Sequence, residues 1–215
     1  MTARAILDLQ SAQCFYPHPD PVHGFEHIRR VFRLCQVIGA AEGADMDILL
    51  TAALLHDCAG SDPSTQNRGE HHLLSADRAA LVLQKMGWNE QDIQLVQHCI
   101  RAHRFRKTEE PHTIEAKSLF DADKLDVLGA IGIARTIGYA VQAGEPIYFQ
   151  PSAQFLATGE LAEGEHHCVY HEYLFKLRNV HDQLYTETGR RLAQGRHAFL
   201  ETFFSQLEAE VHGIR

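Results

Sequence analysis

The segment Ile48 to Asp57, ILLTAALLHD, constrains this chain more than any other. It lies in a predicted helix, about 46–58, that is apolar almost all round. A helix without a polar face has to be buried on every side, so other helices must surround it. A chain of 215 residues is long enough to supply them. The buried helix ends on a histidine followed by an aspartate. An ionised carboxylate is costly in apolar surroundings unless it is paired or binds a metal. Neighbouring helical side chains point about 100° apart, so one ion would take both only with help from other segments. The dipeptide alone is as compatible with Asp57 ending the helix while His56 faces solvent.

The rest of the chain also reads as helices joined by polar loops, with no run of alternating, β-branched strand sequence. A first helix is predicted over about 3–15, ended by the prolines at 17, 19 and 21. A second covers about 25–41, where Ile28, Val31, Leu34, Cys35 and Ile38 recur every three or four residues and Gly43 follows the end. After a turn-rich loop at 59–69, helices are predicted at about 70–86 and 90–101. They are separated by Gly87, with Asn89 as a cap. A long helical block covers about 113–143, with Gly129 or Gly132 as the place for a break. The small residues Gly129-Ala-Ile-Gly132 read as allowing close helix contact. Residues 144–165 read as a packed insertion. Helices over about 166–186 and 189–212, parted at Thr188-Gly189, close the chain. We expect one all-α domain over 1–215, with a core over about 20–140, the insertion, and C-terminal helices over about 166–212.

Composition narrows the function. The formal net charge of −8 lacks the basic footprint of a nucleic-acid binder. It leaves a phosphorylated small molecule open, because a bound metal brings its own positive charge. Five cysteines, widely spaced and without a CxxC pair, predict reduced thiols rather than disulfides or a structural zinc site. The N-terminus carries no secretory pattern and no stretch approaches a membrane span, so we expect a cytoplasmic protein that contacts no membrane. Histidine is the outlier at 15 residues, which directs attention to metal or proton chemistry.

Three groups join His56-Asp57 as candidates. His27 and Arg30 share a face of the second helix, and His23 lies just before it. Asp121, Asp123 and Asp126 fall within six residues ahead of an apolar helix; either they favour its positive N-terminal end, or one of them completes a site. His98, His103, Arg104, Arg106 and Lys107 cluster before Pro111, as a solvated loop or as phosphate contacts. Two histidines with two carboxylates suit Mn²⁺, Fe²⁺, Co²⁺ or Ni²⁺ better than a thiolate zinc site or an all-oxygen Mg²⁺ site. His71 and His72 read as mainly structural, with a ligand to a second ion as the alternative. The aromatics Tyr139, Tyr148 and Phe149 read as packing, with base stacking as the alternative.

The order His27 … His56-Asp57 … Asp123 resembles the H…HD…D signature of the HD-domain superfamily. Further segments extend it: HGFEHIRRV at 23–31, LLTAALLHD at 49–57, FDADKLDVLGAIGIAR at 120–135 and YTETGRRL at 185–192. They are similar to small bacterial HD phosphohydrolases of the YedJ-like and YpgQ-like subfamily. This resemblance implies an all-α HD bundle with a C-terminal helical extension. It implies one divalent ion, Mn²⁺ first, held by His27, His56, Asp57 and Asp123. It further implies hydrolysis of nucleoside triphosphates to monophosphate and pyrophosphate. Asp57, His23, Arg30 and Lys124 are the candidates for catalysis, and His103, Arg104 and Lys107 for substrate phosphates. A phosphomonoesterase or cyclic phosphodiesterase on the same ion, and a nucleotide sensor without turnover, are the alternatives. Two departures stand out. Gly24 follows His23 where relatives often carry Asp, and the glutamate that some nucleotidase relatives place soon after the HD pair is absent, with Asp62 a candidate to replace it as general base.

Overall fold

A computed structural model describes residues 5–17, 24–60, 70–104 and 109–214. Every regular element among them is helical. In chain order these are α1 (Leu9–Ala12), α2 (Phe25–Glu42), α3 (Met46–Leu55), α4 (His71–Lys85), α5 (Glu90–Ala102), α6 (Ile114–Leu125), α7 (Gly129–Ala143), α8 (Ala153–Thr158), α9 (Val169–Phe175) and α10 (Glu187–Val211). None of the described helices is long and apolar enough to cross a membrane. The chain divides into two compact units, Met1–Asp123 with Tyr185–Gly189, and Lys124–Leu184 with Arg190–Arg215.

The first unit is organised around α3. The Asp45 side chain accepts the amides of Asp47 and Ile48 at 3.0 and 3.2 Å and so sets the start of the helix. Leu49, Ala52, Ala53, Leu54 and Leu55 are all completely buried, each large side chain adding about 1.5–3 kcal/mol of burial. The neighbours are the apolar faces of α2 and α5, with α4 laid on α5. Gly43, in the left-handed conformation at φ 74°, ends α2. Asn89 caps α5 by accepting the Asp92 amide at 3.0 Å. α2 and α3 approach closely at Gly39, where a Cβ would lie 2.3 Å from Leu49 Cδ2, the end of a flexible side chain.

Tyr185–Gly189 belongs to this unit because Asp121 holds it. The buried Asp121 carboxylate accepts the amides of Tyr185 and Thr186 at 2.9 and 2.7 Å and the Thr186 hydroxyl at 2.6 Å. The predicted turn at Thr188-Gly189 is corrected here: α10 already starts at Glu187, and Gly189 lies inside it. Glycine is required there by proximity, since a Cβ would meet Asp121 Oδ2 at 2.4 Å.

In the second unit the predicted long block breaks before Gly129, which sits at φ 68°. Its neighbour is Arg196 on α10, whose Cβ would lie 3.1 Å from an added side chain, so close helix contact does explain this glycine. Gly132 differs: its added Cβ would meet the Val127 carbonyl oxygen at 2.1 Å, so it accommodates the turn leading into its own helix. Residues 144–165 contain the short α8, capped by Ser152, which accepts the Phe155 amide at 2.9 Å.

Other boundaries also differ. The helix expected over 166–186 is α9 followed by the 3-10 turns Leu177–Asn179 and His181–Gln183, because Lys176 leaves helical geometry at φ −121°. The first helix is confined, among the described residues, to α1 and the 3-10 turn Gln13–Phe15. Asp8 accepts the Ser11 amide at 2.7 Å and fixes the start at Leu9.

Candidate metal centre

His56 and Asp57 do not continue α3. The helix stops at Leu55, and a turn follows in which the Cys58 amide donates to Leu55 O at 3.1 Å and the Gly60 amide to Asp57 O at 2.9 Å. His56 keeps right-handed helical dihedrals, φ −60° and ψ −31°, and its Nε2 still comes within 3.7 Å of Asp57 Oδ2. The turn is clamped by α4: Arg78 donates to Cys58 O at 2.6 Å and Ser75 Oγ accepts the Ala59 amide at 3.1 Å. Tyr16 donates its hydroxyl to Leu54 O at 2.8 Å from the other direction. These three holding residues carry no motif, and nothing in the sequence marks them.

His27, in the first turn of α2, and Asp123, on α6, meet this turn. His27 Nε2 lies 3.3 Å from His56 Nε2, 3.3 Å from Asp123 Oδ1 and 4.0 Å from Asp57 Oδ2. His56 Nε2 lies 3.7 Å from Asp57 Oδ2. His27 and His56 are buried, and the Asp123 side chain retains 18% exposure. His56 Nδ1 donates to Ala53 O at 2.8 Å, which assigns its proton and leaves Nε2 a bare lone pair.

The electrostatics fit a cation. Burial lowers the His56 pKa, so this imidazole is neutral and able to ligate. Burial opposes the Asp57 carboxylate, but the imidazoles of His56, His103, His71 and His27 around it prevail and hold its pKa at about 2. The result is an ionised, buried carboxylate whose Oδ1 has no hydrogen-bond partner. His56 Nε2 can accept from a His27 Nε2–H at 3.3 Å, and a divalent ion in place of that proton would draw on both nitrogens and on the carboxylates of Asp57 and Asp123 beside His27. The atoms of His27, His56 and Asp57 are close enough together to share one ion.

The orphaned Asp57 Oδ1 faces a second set of nitrogens. His71 Nε2 is 3.5 Å away and His103 Nε2 3.7 Å, and these three residues form another group able to hold an ion. His103 Nδ1 is occupied by Ile100 O at 2.5 Å, so its Nε2 is also turned inward as an acceptor. His71, read from the sequence as mainly structural with a second-ion ligand as the alternative, stands in this group. Its one sequence signal is its place at the first position of a helix after a long loop. Arg30 is half-buried one turn beyond His27, and Arg104 half-buried beside His103. Lys124 is buried on α6 in the other unit. His23, Asp62, Arg106 and Lys107 lie outside the described residues.

The three aspartates of the acidic run separate by partner. Asp121 clamps residues 185 and 186, Asp126 pairs with Arg135, and Asp123 turns to His27. Arg135 is thereby committed to Asp126. His98, grouped in the sequence with the phosphate candidates, instead pairs with Glu109, which also takes Arg101 Nε at 2.6 Å.

A family model for the HD domain matches residues 24–128. The uncharacterised protein YpgQ of Bacillus subtilis (strain 168) is 34% identical over 197 residues, spanning 89% of this chain and 86% of that one. The chain belongs to the HD-domain superfamily. The crystal structure of Bacillus subtilis YpgQ in complex with ADP is similar with a TM-score of 0.74 and 30% identity, covering 97% of this chain and 100% of that one. An HD-superfamily hydrolase from Bacillus thuringiensis is similar with a TM-score of 0.69 and 26% identity, over 95% and 96% of the two chains.

Proposed function

We propose that this chain is a metal-dependent phosphohydrolase that cleaves nucleoside triphosphates between the α- and β-phosphates, giving a monophosphate and pyrophosphate. The observation that carries the reading is the Asp57 carboxylate, ionised and buried, with one oxygen unsatisfied amid inward-turned imidazoles. A divalent ion there, Mn²⁺ in our reading with Fe²⁺, Co²⁺, Ni²⁺ or Mg²⁺ as substitutes, supplies a water of lowered pKa and positive charge beside phosphorus. His27, His56, Asp57 and Asp123 are its proposed holders. His56 supplies a fixed lone pair because Ala53 O takes its proton. Asp123, the most exposed of the four side chains, stands on the side that solvent reaches. Arg30, Lys124, His103, Arg104 and Lys107 are proposed to orient phosphates, and His23 to exchange protons. The ADP bound by YpgQ supports a nucleotide as the ligand class.

A screen for phosphate and pyrophosphate release tests this. Metal-stripped protein is offered mono-, di- and triphosphate nucleotides and cyclic nucleotides with Mn²⁺, Mg²⁺, Co²⁺, Ni²⁺ or no metal, beside Asp57→Ala. Pyrophosphate from triphosphates that needs both metal and Asp57 is the expected result. Phosphate from monophosphates, or opening of a cyclic nucleotide, would keep the centre and replace the reaction. Tight nucleotide binding with no turnover would make the protein a sensor.

A second reading is favoured by the geometry of His71 and His103, which flank the unsatisfied Asp57 oxygen at 3.5 and 3.7 Å. In it Asp57, His71 and His103 would hold a second ion beside the first. Metal counted per chain by elemental analysis separates the readings: one equivalent supports the first, and two equivalents falling to one in His71→Ala support the second.

A further inference from the structure

Far along the chain, in the second unit, a cysteine, a histidine and a glutamate stand in line. Cys168 precedes α9 and His171 lies in its first turn; both are completely buried. Cys168 Sγ is 2.8 Å from His171 Nδ1, and His171 Nε2 is 2.9 Å from Glu165 Oε1. The Glu165 side chain, 3% exposed, is fixed by the Ser152 amide, the Ser152 hydroxyl and the Ala162 amide, each at 2.7 Å. The Phe149 amide donates to Sγ at 3.2 Å. The ring of Phe155 packs edge-on against His171 with centroids 4.3 Å apart.

The order of partners assigns the protons. Burial pushes the Glu165 carboxyl up, but its three donors and His171 prevail and hold it at about 2. An ionised carboxylate only accepts, so His171 Nε2 carries the hydrogen and Nδ1 keeps its lone pair. The thiol is then the donor to a base that a carboxylate orients, the sequence nucleophile, base, orienting acid. Because Sγ and the carboxylate occupy opposite nitrogens of one ring, they cannot share an ion through a single imidazole atom. The other cysteines lack this arrangement among the described residues. Cys14 donates to Ser11 O, Cys58 to Ser75 O, and burial pushes the Cys35 and Cys99 thiols far up. Burial raises the Cys168 thiol too, against the pull of neighbouring amides, so a proton acceptor at Sγ is what would let it act as a nucleophile.

We propose that Cys168 is a His171-assisted reactive thiol, a modification site for small, uncharged peroxides. Size and neutrality follow from the complete burial of Cys168, whose Sγ meets the Phe149 backbone. In the step, His171 Nδ1 takes the thiol proton as sulfur attacks one peroxide oxygen. The S–O bond forms, the O–O bond breaks, and the departing oxygen takes the proton from the imidazolium and leaves as water. Sulfur loses two electrons to become the sulfenic acid, and the peroxide is reduced.

The test treats the full-length protein with hydrogen peroxide at pH 7, traps sulfenic acid with dimedone, and follows each cysteine by peptide mass spectrometry. Cys168 should be trapped at least about tenfold faster than buried Cys35 and Cys99, a conservative share of what a positioned base supplies. His171→Asn should remove that advantage while Cys14 reacts as before, and Glu165→Gln should reduce it in part. Circular dichroism melts show whether each variant folds; if His171→Asn does not, the wild-type comparison and Glu165→Gln decide. Trapping of Cys168 no faster than Cys35 and Cys99, or unchanged or faster trapping in a folded variant, overturns the proposal and leaves the three residues as a structural lock.

Discussion

Asp57 shows how much one residue's surroundings decide. Its two oxygens face different partners, Oδ2 toward His27 and His56 and Oδ1 toward His71 and His103. Asp57→Ala or His56→Ala should cut divalent-metal affinity by more than about 100-fold, beyond what changes outside the ligand set cost; metal titration with equilibrium dialysis measures it, and retention of full metal would dismantle the proposed centre. Asp121, two residues before Asp123, has a different task. Asp121→Ala strands two backbone amides and a hydroxyl, and should destabilise the protein by about 3–5 kcal/mol in urea unfolding, with little effect on metal affinity per folded molecule. A loss of only a few tenths would mean that water replaces the carboxylate.

At the scale of elements, two glycines predict opposite outcomes. At Gly39 an added methyl meets the flexible ends of Leu49 and Met46, whereas at Gly132 it meets the Val127 backbone at 2.1 and 2.3 Å. A side chain can rotate and a carbonyl cannot retreat without opening the turn. Alanine also gains about 1 kcal/mol of helix propensity over glycine. Gly39→Ala should therefore change stability by less than about 1 kcal/mol, and Gly132→Ala should cost about 2 kcal/mol or more; denaturant midpoints compare them. The loop carrying Glu165 predicts a pH effect. Its folded pKa, about 2, lies below the ordinary glutamate value, so its contribution to stability is complete above about pH 4.3 and is lost as pH falls toward 2. The gap in melting temperature between wild type and Glu165→Gln should close across that window; a gap independent of pH would show that charge is not its source.

For the whole molecule, the proposed centre, drawn from α2, the turn after α3 and α6, would couple metal binding to folding, because the unfolded chain scatters those residues. At a hundredfold excess over Kd, a ligand that binds only the folded state adds about 2.7 kcal/mol. In a chain of this size that corresponds to a rise of about 5–10 °C in melting temperature. Scanning calorimetry with chelator and then with Mn²⁺ should show the rise in wild type and its absence in Asp57→Ala. An equal rise in both would place the bound ion elsewhere.

The buried α3, the amphipathic α2, the caps at Asn89 and Gly43 and the all-α class were legible in the sequence, because periodicity and capping act over a few residues. The order His27 … His56-Asp57 … Asp123 was readable too, and the structure brings the other three side chains to within 4.0 Å of His27. Periodicity tells which face of a helix is apolar and not what that face meets. Sequence alone therefore could not separate Asp121, Asp123 and Asp126, whose partners come from 64 residues onward, from His27 and from Arg135. It could not give His71 its place beside Asp57, or recognise Ser75 and Arg78 as the clamp on the turn. Nor could it align Cys168, His171 and Glu165, since which nitrogen of a ring meets which neighbour depends on side-chain direction. Local chemistry determined the elements; only tertiary packing decided which carboxylate meets which imidazole, because those distances are set between segments far apart in the chain.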